Sequence, residues 1–167
     1  GLTDVTHIDA VDLSSWMYLN YKNMEYFAKE LNNLHDIEVW QKKQKQLSAK
    51  IDSLMWSNEF FGWMDINNKN KKHVDVFTPV MFFPAFVGAS KNLKNINHVI
   101  QKHILNPDEF FGTYPVPSVS YNSPYYNHKE DGTYWRGQIW LNFAYITVQT
   151  LYQYGYETHA EEMAKRL

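Results

Sequence analysis

Across residues 9–31, the apolar side chains Leu13, Trp16, Met17, Tyr21, Met24, Phe27, Ala28 and Leu31 mostly recur at the spacing of an amphipathic helix. Asp9 or Asp12 stands where such a helix is capped or its dipole complemented. Asn32-Asn33 breaks the pattern, which resumes after Asp36 with Val39, Trp40, Leu47, Ile51 and Leu54 on one side and Lys and Gln on the other. So short a connection predicts an antiparallel helical hairpin. The period then changes. Residues 60–66 and 73–77 flank the polar run 67–72, and the alternation around Val74 and Val76 predicts a small surface β-hairpin. Thr78-Pro79 suits a cap and a first helical position, opening a short apolar helix that ends near Gly88. Another helix begins at Ser90, with Leu93, Ile96, Val99, Ile100 and Ile104 inward, and stops at Asn106-Pro107.

Residues 108–133 hold three prolines, Gly112 and Gly132 with no convincing period, so they read as a long loop; long loops inside compact folds usually carry function. Residues 137–154 follow as a helix apolar almost all round, expected to be buried on most sides. Gly155 suits a left-handed C-cap, and Thr158 with Glu161 forms a capping-box pattern for a last helix reaching Leu167. The spans predict an all-α architecture of antiparallel helix pairs with one small β-hairpin. No 33- or 34-residue repeat supports an ordinary solenoid. Residues 1–167 read as a single unit, expected to be incomplete at both ends because the last helix is cut and its faces need neighbours.

Composition narrows the function classes. A formal charge of -2 gives no basic field for nucleic acid or an anionic membrane. No run of eighteen apolar residues offers a spanning helix, and residues 1–4 show no signal-peptide pattern. Cysteine is absent, which removes disulfides and thiolate chemistry and leaves the compartment undecided. Aromatic content reaches 17%, with six Trp and twelve Tyr, side chains suited both to cores and to sugar rings.

Chemistry concentrates in Tyr134-Trp135-Arg136-Gly137-Gln138-Ile139-Trp140, where the long loop meets the apolar helix. Arginine offers a fixed fork of donors, tryptophan a flat platform, and glycine close backbone approach, which together suit a sugar pocket. The same residues also fit a core in which Trp135 and Trp140 are packed and Arg136 pairs with a buried carboxylate. Asp12 reads as a cap or an ion-pair partner before a catalyst. Asp65 and Asp75 beside the hairpin turn do not match a calcium loop. The seven histidines show no zinc spacing, with His98 and His103 five apart and off one helical face. Neither a serine-hydrolase elbow nor a phosphate loop occurs, and no metal or cofactor is implied.

Several stretches, in order, carry a resemblance. Residues 134–140 resemble the Tyr-Trp-Arg-Gly-x-x-Trp signature of glycoside hydrolase family 63, with Gln138 where proline is common. Asp9-Ala10-Val11-Asp12-Leu13-Ser14-Ser15-Trp16-Met17-Tyr18 is similar to that family's Val-Asp-Leu-Asn helix, and Thr113-Tyr114-Pro115-Val116-Pro117-Ser118-Val119 to the loop before its signature. The resemblance implies part of a trehalase-like (α/α)6 toroid and an inverting hydrolysis of α-linked glucosides or related α-glycosides. It also implies that Tyr134, Trp135, Arg136 and Trp140, with Tyr114 and Ser118 from the loop, shape the pocket for a carbohydrate substrate. Inversion needs an acid and a base roughly 6.5–9.5 Å apart. The family's acid and base motifs have no match here; only Asp4 sits in a superficially similar stretch, so both catalytic carboxylates are expected outside these residues. The rest of the toroid, or a second copy, is then expected to cover the exposed apolar face. Rival readings are a non-catalytic glycan-binding module, a purely structural helical module, and a phosphorylase-type relative.

Overall fold

The computed structural model describes residues 6–127 and 134–167; Asp4 and His128 lie outside them. Helix α1 spans Val11–Glu30 and α2 spans Leu34–Lys50, running on into a π-helical turn at Ile51–Met55. Helix α3, Phe83–Phe86, follows a 3-10 turn at Pro79–Phe82, and α4, Leu93–Val99, continues into a second π turn at Ile100–Ile104. Helices α5, Leu141–Gln153, and α6, Glu157–Arg166, close the described chain. Residues 106–127 contain neither helix nor strand, as the loop reading expects.

Helix α1 packs on α2 as the expected hairpin, and α5 pairs with α6. The short α3 contacts both α1 and α5, so these three lie side by side with α2 and α6 on their flanks. One apolar cluster joins them: Val11, Trp63, Phe82, Ile96, Ile100, Phe110, Leu151 and Met163 are among its fully buried members. The turn around residues 67–72 is where the sequence places it, but its arms are only two residues each: β4 (Ile66–Asn67) against β5 (Lys72–His73). Strand β1 (Ile8–Asp9) pairs antiparallel with β4, and a second ribbon joins β2 (Trp56–Ser57) to β3 (Gly62–Trp63).

Helix ends depart from the sequence reading for identifiable reasons. Neither Asp9 nor Asp12 caps α1. Asp9 is committed to β1, and the Val11 N–H instead donates to Asp65 Oδ1 at 2.8 Å, an acceptor brought over from the β3–β4 connection. Asp12 does occupy the first turn, where the dipole favours it. Asn32 takes a left-handed φ of 52° and Asn33 accepts from Asp36 N, so the Asn-Asn pair both ends α1 and starts α2. Asn92, not Ser90, caps α4; Leu93 then falls at the first helical position and faces solvent rather than the core. Thr158 already lies inside α6, so no capping box forms. Gly155 has the expected positive φ, 82°. The apolar α5 is buried over most of its circumference, as expected: Ala144, Ile146, Thr147, Val148, Thr150 and Leu151 are covered, and Leu141, Tyr145 and Tyr152 mark one exposed strip.

Candidate functional site

The loop that leaves the Ile100–Ile104 turn is ordered by polar contacts before any aromatic joins it. Asn106 O accepts from the amides of Glu109, Phe110 and Phe111 at 2.9–3.1 Å, which coils the chain into a tight start. Beneath it, His103 and Glu109 are both buried. His103 Nδ1 lies 2.6 Å from Glu109 Oε2, and Nε2 lies 2.7 Å from the Phe60 carbonyl, to which it must donate. The imidazole thus pins the loop to the turn between β2 and β3.

Farther along, the loop is laced to the segment before α5. Ser118 N donates to Gln138 O and Gly137 N to Ser118 Oγ, both at 3.0 Å; Asn127 N donates to Arg136 O at 2.8 Å. Gly137 is required here. Its φ is +133°, and a Cβ would stand 2.8 Å from the Tyr126 ring. Tyr134, at φ 38°, also bends through left-handed space, and the two bends present the aromatic segment outward.

That segment is built on a stack. The Trp135 and Trp140 rings lie 4.4 Å apart and 11° from parallel, with Tyr134 edge-on to both at 5.5 and 5.0 Å. Trp140 Nε1 donates to Tyr134 O at 3.2 Å, fixing the indole that backs the stack. Such pairs are worth about 0.5–1.5 kcal/mol beyond the area they bury. Trp135 nevertheless keeps 46% of its surface exposed, so the cluster is a platform rather than dry interior.

Trp135 borders a cavity of 260 Å³ together with Asp12, Asp65, Thr78, Val80, Ser118 and Phe143. Two carboxylates, two hydroxyls and an indole therefore face one small space. Burial pushes the Asp65 carboxyl up from its ordinary value; the Val11 N–H opposes this, and the Asp12 charge adds to it. Of the six residues the sequence proposes, Ser118 and Trp135 line this cavity, and Tyr134 and Trp140 frame the platform. Arg136 is exposed on its flank, its Nε donating to Tyr125 O at 2.9 Å, and no described carboxylate pairs with it. Tyr114 stands apart, on a depression with Phe111, Tyr121 and Arg166. The sequence reading missed Asp65 as a wall of the Trp135 cavity. Its one signal was a carboxylate set among Trp63, Met64 and Ile66, where a charge needs a reason.

Residues 2–167 match the mannosylglycerate hydrolase MGH1-like glycoside hydrolase domain family. A probable mannosyl-oligosaccharide glucosidase from Schizosaccharomyces pombe is 27% identical over 154 residues, which is 86% of this chain but 18% of that protein. Among solved structures, the neutral trehalase of Saccharomyces cerevisiae superposes with a TM-score of 0.78 at 20% identity, over 96% of this chain and 30% of that one. A family 63 mannosylglycerate hydrolase from Thermus thermophilus, solved with glucose, gives 0.75 at 21% identity over 95% of this chain and 36% of that one. These structures share the fold of an α/α toroid. The chain spans under a fifth of the length of the curated relatives it matches.

Proposed function

Because the chain belongs to the mannosylglycerate hydrolase MGH1-like glycoside hydrolase domain family, we propose that it supplies one wall of the sugar pocket in an inverting glycosidase that acts on α-linked glucosides or related α-glycosides. On this reading residues 1–167 are one unit of a larger (α/α)6 catalytic domain. The observation that carries the reading is the half-exposed Trp135 face over a cavity that also holds Asp12, Asp65, Thr78 and Ser118. An indole stacks on the C–H face of a pyranose, while carboxylates and hydroxyls take its hydroxyl groups; both are needed because the ring joins apolar C–H faces to a rim of hydroxyls.

Inverting hydrolysis places a protonated acid at the leaving oxygen and a base that holds water on the opposite side of the ring. Both carboxylates come, in this proposal, from the remainder of the toroid, and the present residues orient the sugar between them. Asp65 is tied to the amino end of α1 and Ser118 to Gly137, so each presents its polar atoms from a fixed position. Arg136, anchored through Nε to Tyr125 O and paired with no carboxylate among the described residues, would turn its other donors to a substrate hydroxyl or to a carboxylate of the missing half.

Turnover of an aryl α-glucoside by the full-length protein tests this. Trp135→Ala and Arg136→Ala are each expected to lower kcat/KM at least about tenfold, near 1.4 kcal/mol of transition-state stabilisation. Wild-type kinetics in both variants overturns the pocket assignment. Residues 1–167 alone are expected to hydrolyse nothing, and saturable turnover by them would put the acid and base within the chain. Sugar binding by the full-length protein with no product formed would favour a glycan-binding module instead, and product formed only when phosphate is supplied would favour a phosphorylase.

A further inference from the structure

The Trp135 cavity has a larger neighbour. A hollow of 480 Å³ lies between residues 74–77 and residues 120–125, with Asp75, Phe77, Ser120, Asn122 and Tyr125 among its walls. Its volume falls within the range of small-molecule sites, roughly 300–1,000 Å³. The same two stretches of chain continue into the walls of the first cavity, through Thr78 and Val80 on one side and Ser118 on the other. The two hollows thus follow one another along a single pair of segments. They are divided where Ser120 N donates to Phe77 O at 3.0 Å.

Ser120 is 1% exposed, and its hydroxyl has no hydrogen-bond partner among the described residues. A buried hydroxyl left unpaired costs about 1–3 kcal/mol. Because it makes no bond, rotation about Cα–Cβ toward the hollow forfeits none, and a ligand hydroxyl there would supply the missing partner. Around it stand the Asp75 carboxylate and the Asn122 amide, both exposed and engaged by no other described side chain, and the exposed ring of Tyr125. Among the described residues no basic side chain lines the hollow, and Asp75 would repel a phosphate or a carboxylate. Acceptors, donors and the flat rings of Phe77 and Tyr125, with no cation among the described walls, match a neutral polyhydroxylated ring.

We propose that this hollow is the leaving-group subsite: it takes the second, uncharged sugar unit of the substrate, whose hydroxyls are read by Ser120 and Asn122. The proposal rests on the pocket reading above, with the bond to be cleaved lying near the Ser120–Phe77 divide.

The test uses the full-length protein and two substrates, the α-linked glucose disaccharide it cleaves best and α-glucosyl fluoride, whose leaving group is a single atom. Ser120→Ala and Asn122→Ala are expected to lower kcat/KM for the disaccharide about tenfold and to leave the fluoride within about twofold. Ser120→Ala should melt no lower than wild type, because it removes a polar group that has no partner. Equal losses on both substrates, or no loss on either, overturn the subsite. Trp135→Ala separates the two readings: it should slow both substrates, and if it slows neither while Ser120→Ala still slows the disaccharide alone, the Trp135 face is no wall of the first sugar's site, while the hollow still receives the leaving group. A full-length protein that turns over neither substrate sinks both.

Discussion

Asp65 joins local folding to the site, since one oxygen closes the amino end of α1 and the residue also borders the Trp135 cavity. Burial raises its carboxyl above the ordinary value. A raised folded-state value means that the native state prefers the protonated form. That stability is fully present below the ordinary carboxylate range and is lost as pH climbs through the folded value. Asp65→Asn keeps an acceptor for Val11 and cannot ionise. It should therefore be more stable than wild type at neutral pH, with the two converging in acid; urea midpoints measured across the acid range check this. Gly137 gives a second residue-scale test. Gly137→Ala forces a side chain into positive φ against Tyr126 and should cost about 1–3 kcal/mol, read as a lowered urea midpoint. Glycine at 137 was readable in the sequence as a point of close approach. The partnership of Asp65 with Val11 was not, because it joins residues 54 apart and no local pattern encodes it.

Helix pairs were legible because their apolar spacing is local, but their ends were decided by other elements. Helices α1 and α2 are clamped by Glu25, whose carboxylate accepts from Gln41 at 2.8 Å and Gln44 at 2.6 Å and pairs with Lys29 at 2.6 Å. Those contacts, Lys29 first, hold the carboxyl down to about 2. A depressed value contributes stability above the ordinary range that is lost as pH falls from 4.5 towards 2. Glu25→Gln should then be the less stable protein at neutral pH, by no more than about 1 kcal/mol because its main partner, Lys29, is half exposed, and equal to wild type in strong acid. Thermal melts at both extremes decide it. The loop poses the opposite case, since its order comes from a buried group. Glu109→Ala leaves His103 Nδ1 without its partner and should cost about 1–3 kcal/mol, with amide exchange in residues 106–111 rising first. Sequence pattern flagged this loop by its lack of period. It had no means of showing that His103, on the preceding turn, organises it.

At the scale of the molecule, the decisive feature is where apolar surface remains uncovered. Leu13 and Met17, one turn apart on α1, are exposed with Phe27 and Leu31 farther along, and α5 shows Leu141 and Tyr145, also one turn apart. A groove of 380 Å³ beside α1, walled by Leu13, Leu47, Ile51 and Leu54, adds to the first of these faces. The sequence rightly marked α5 as apolar all round, yet periodicity reports only that a face wants cover, not whether this chain provides it. Helices α1, α3 and α5 stand side by side, and the two outer members of the row turn apolar side chains to solvent, as inner helices of a toroid do when their next neighbours are elsewhere. Contiguous patches of this kind drive association. Residues 1–167 on their own should therefore elute from gel filtration as dimers or larger, with light-scattering masses that rise with concentration. Leu13→Lys with Tyr145→Lys should shift them towards monomer, because each charge falls in one exposed face and costs little where nothing packs. In the full-length protein the same pair should prevent folding, since those faces would then be interior and the two ammonium groups would have no partners. A monodisperse, cooperatively melting wild-type monomer, or a full-length protein indifferent to both lysines, would mean that these faces are ordinary surface and that the helices form no part of a closed ring.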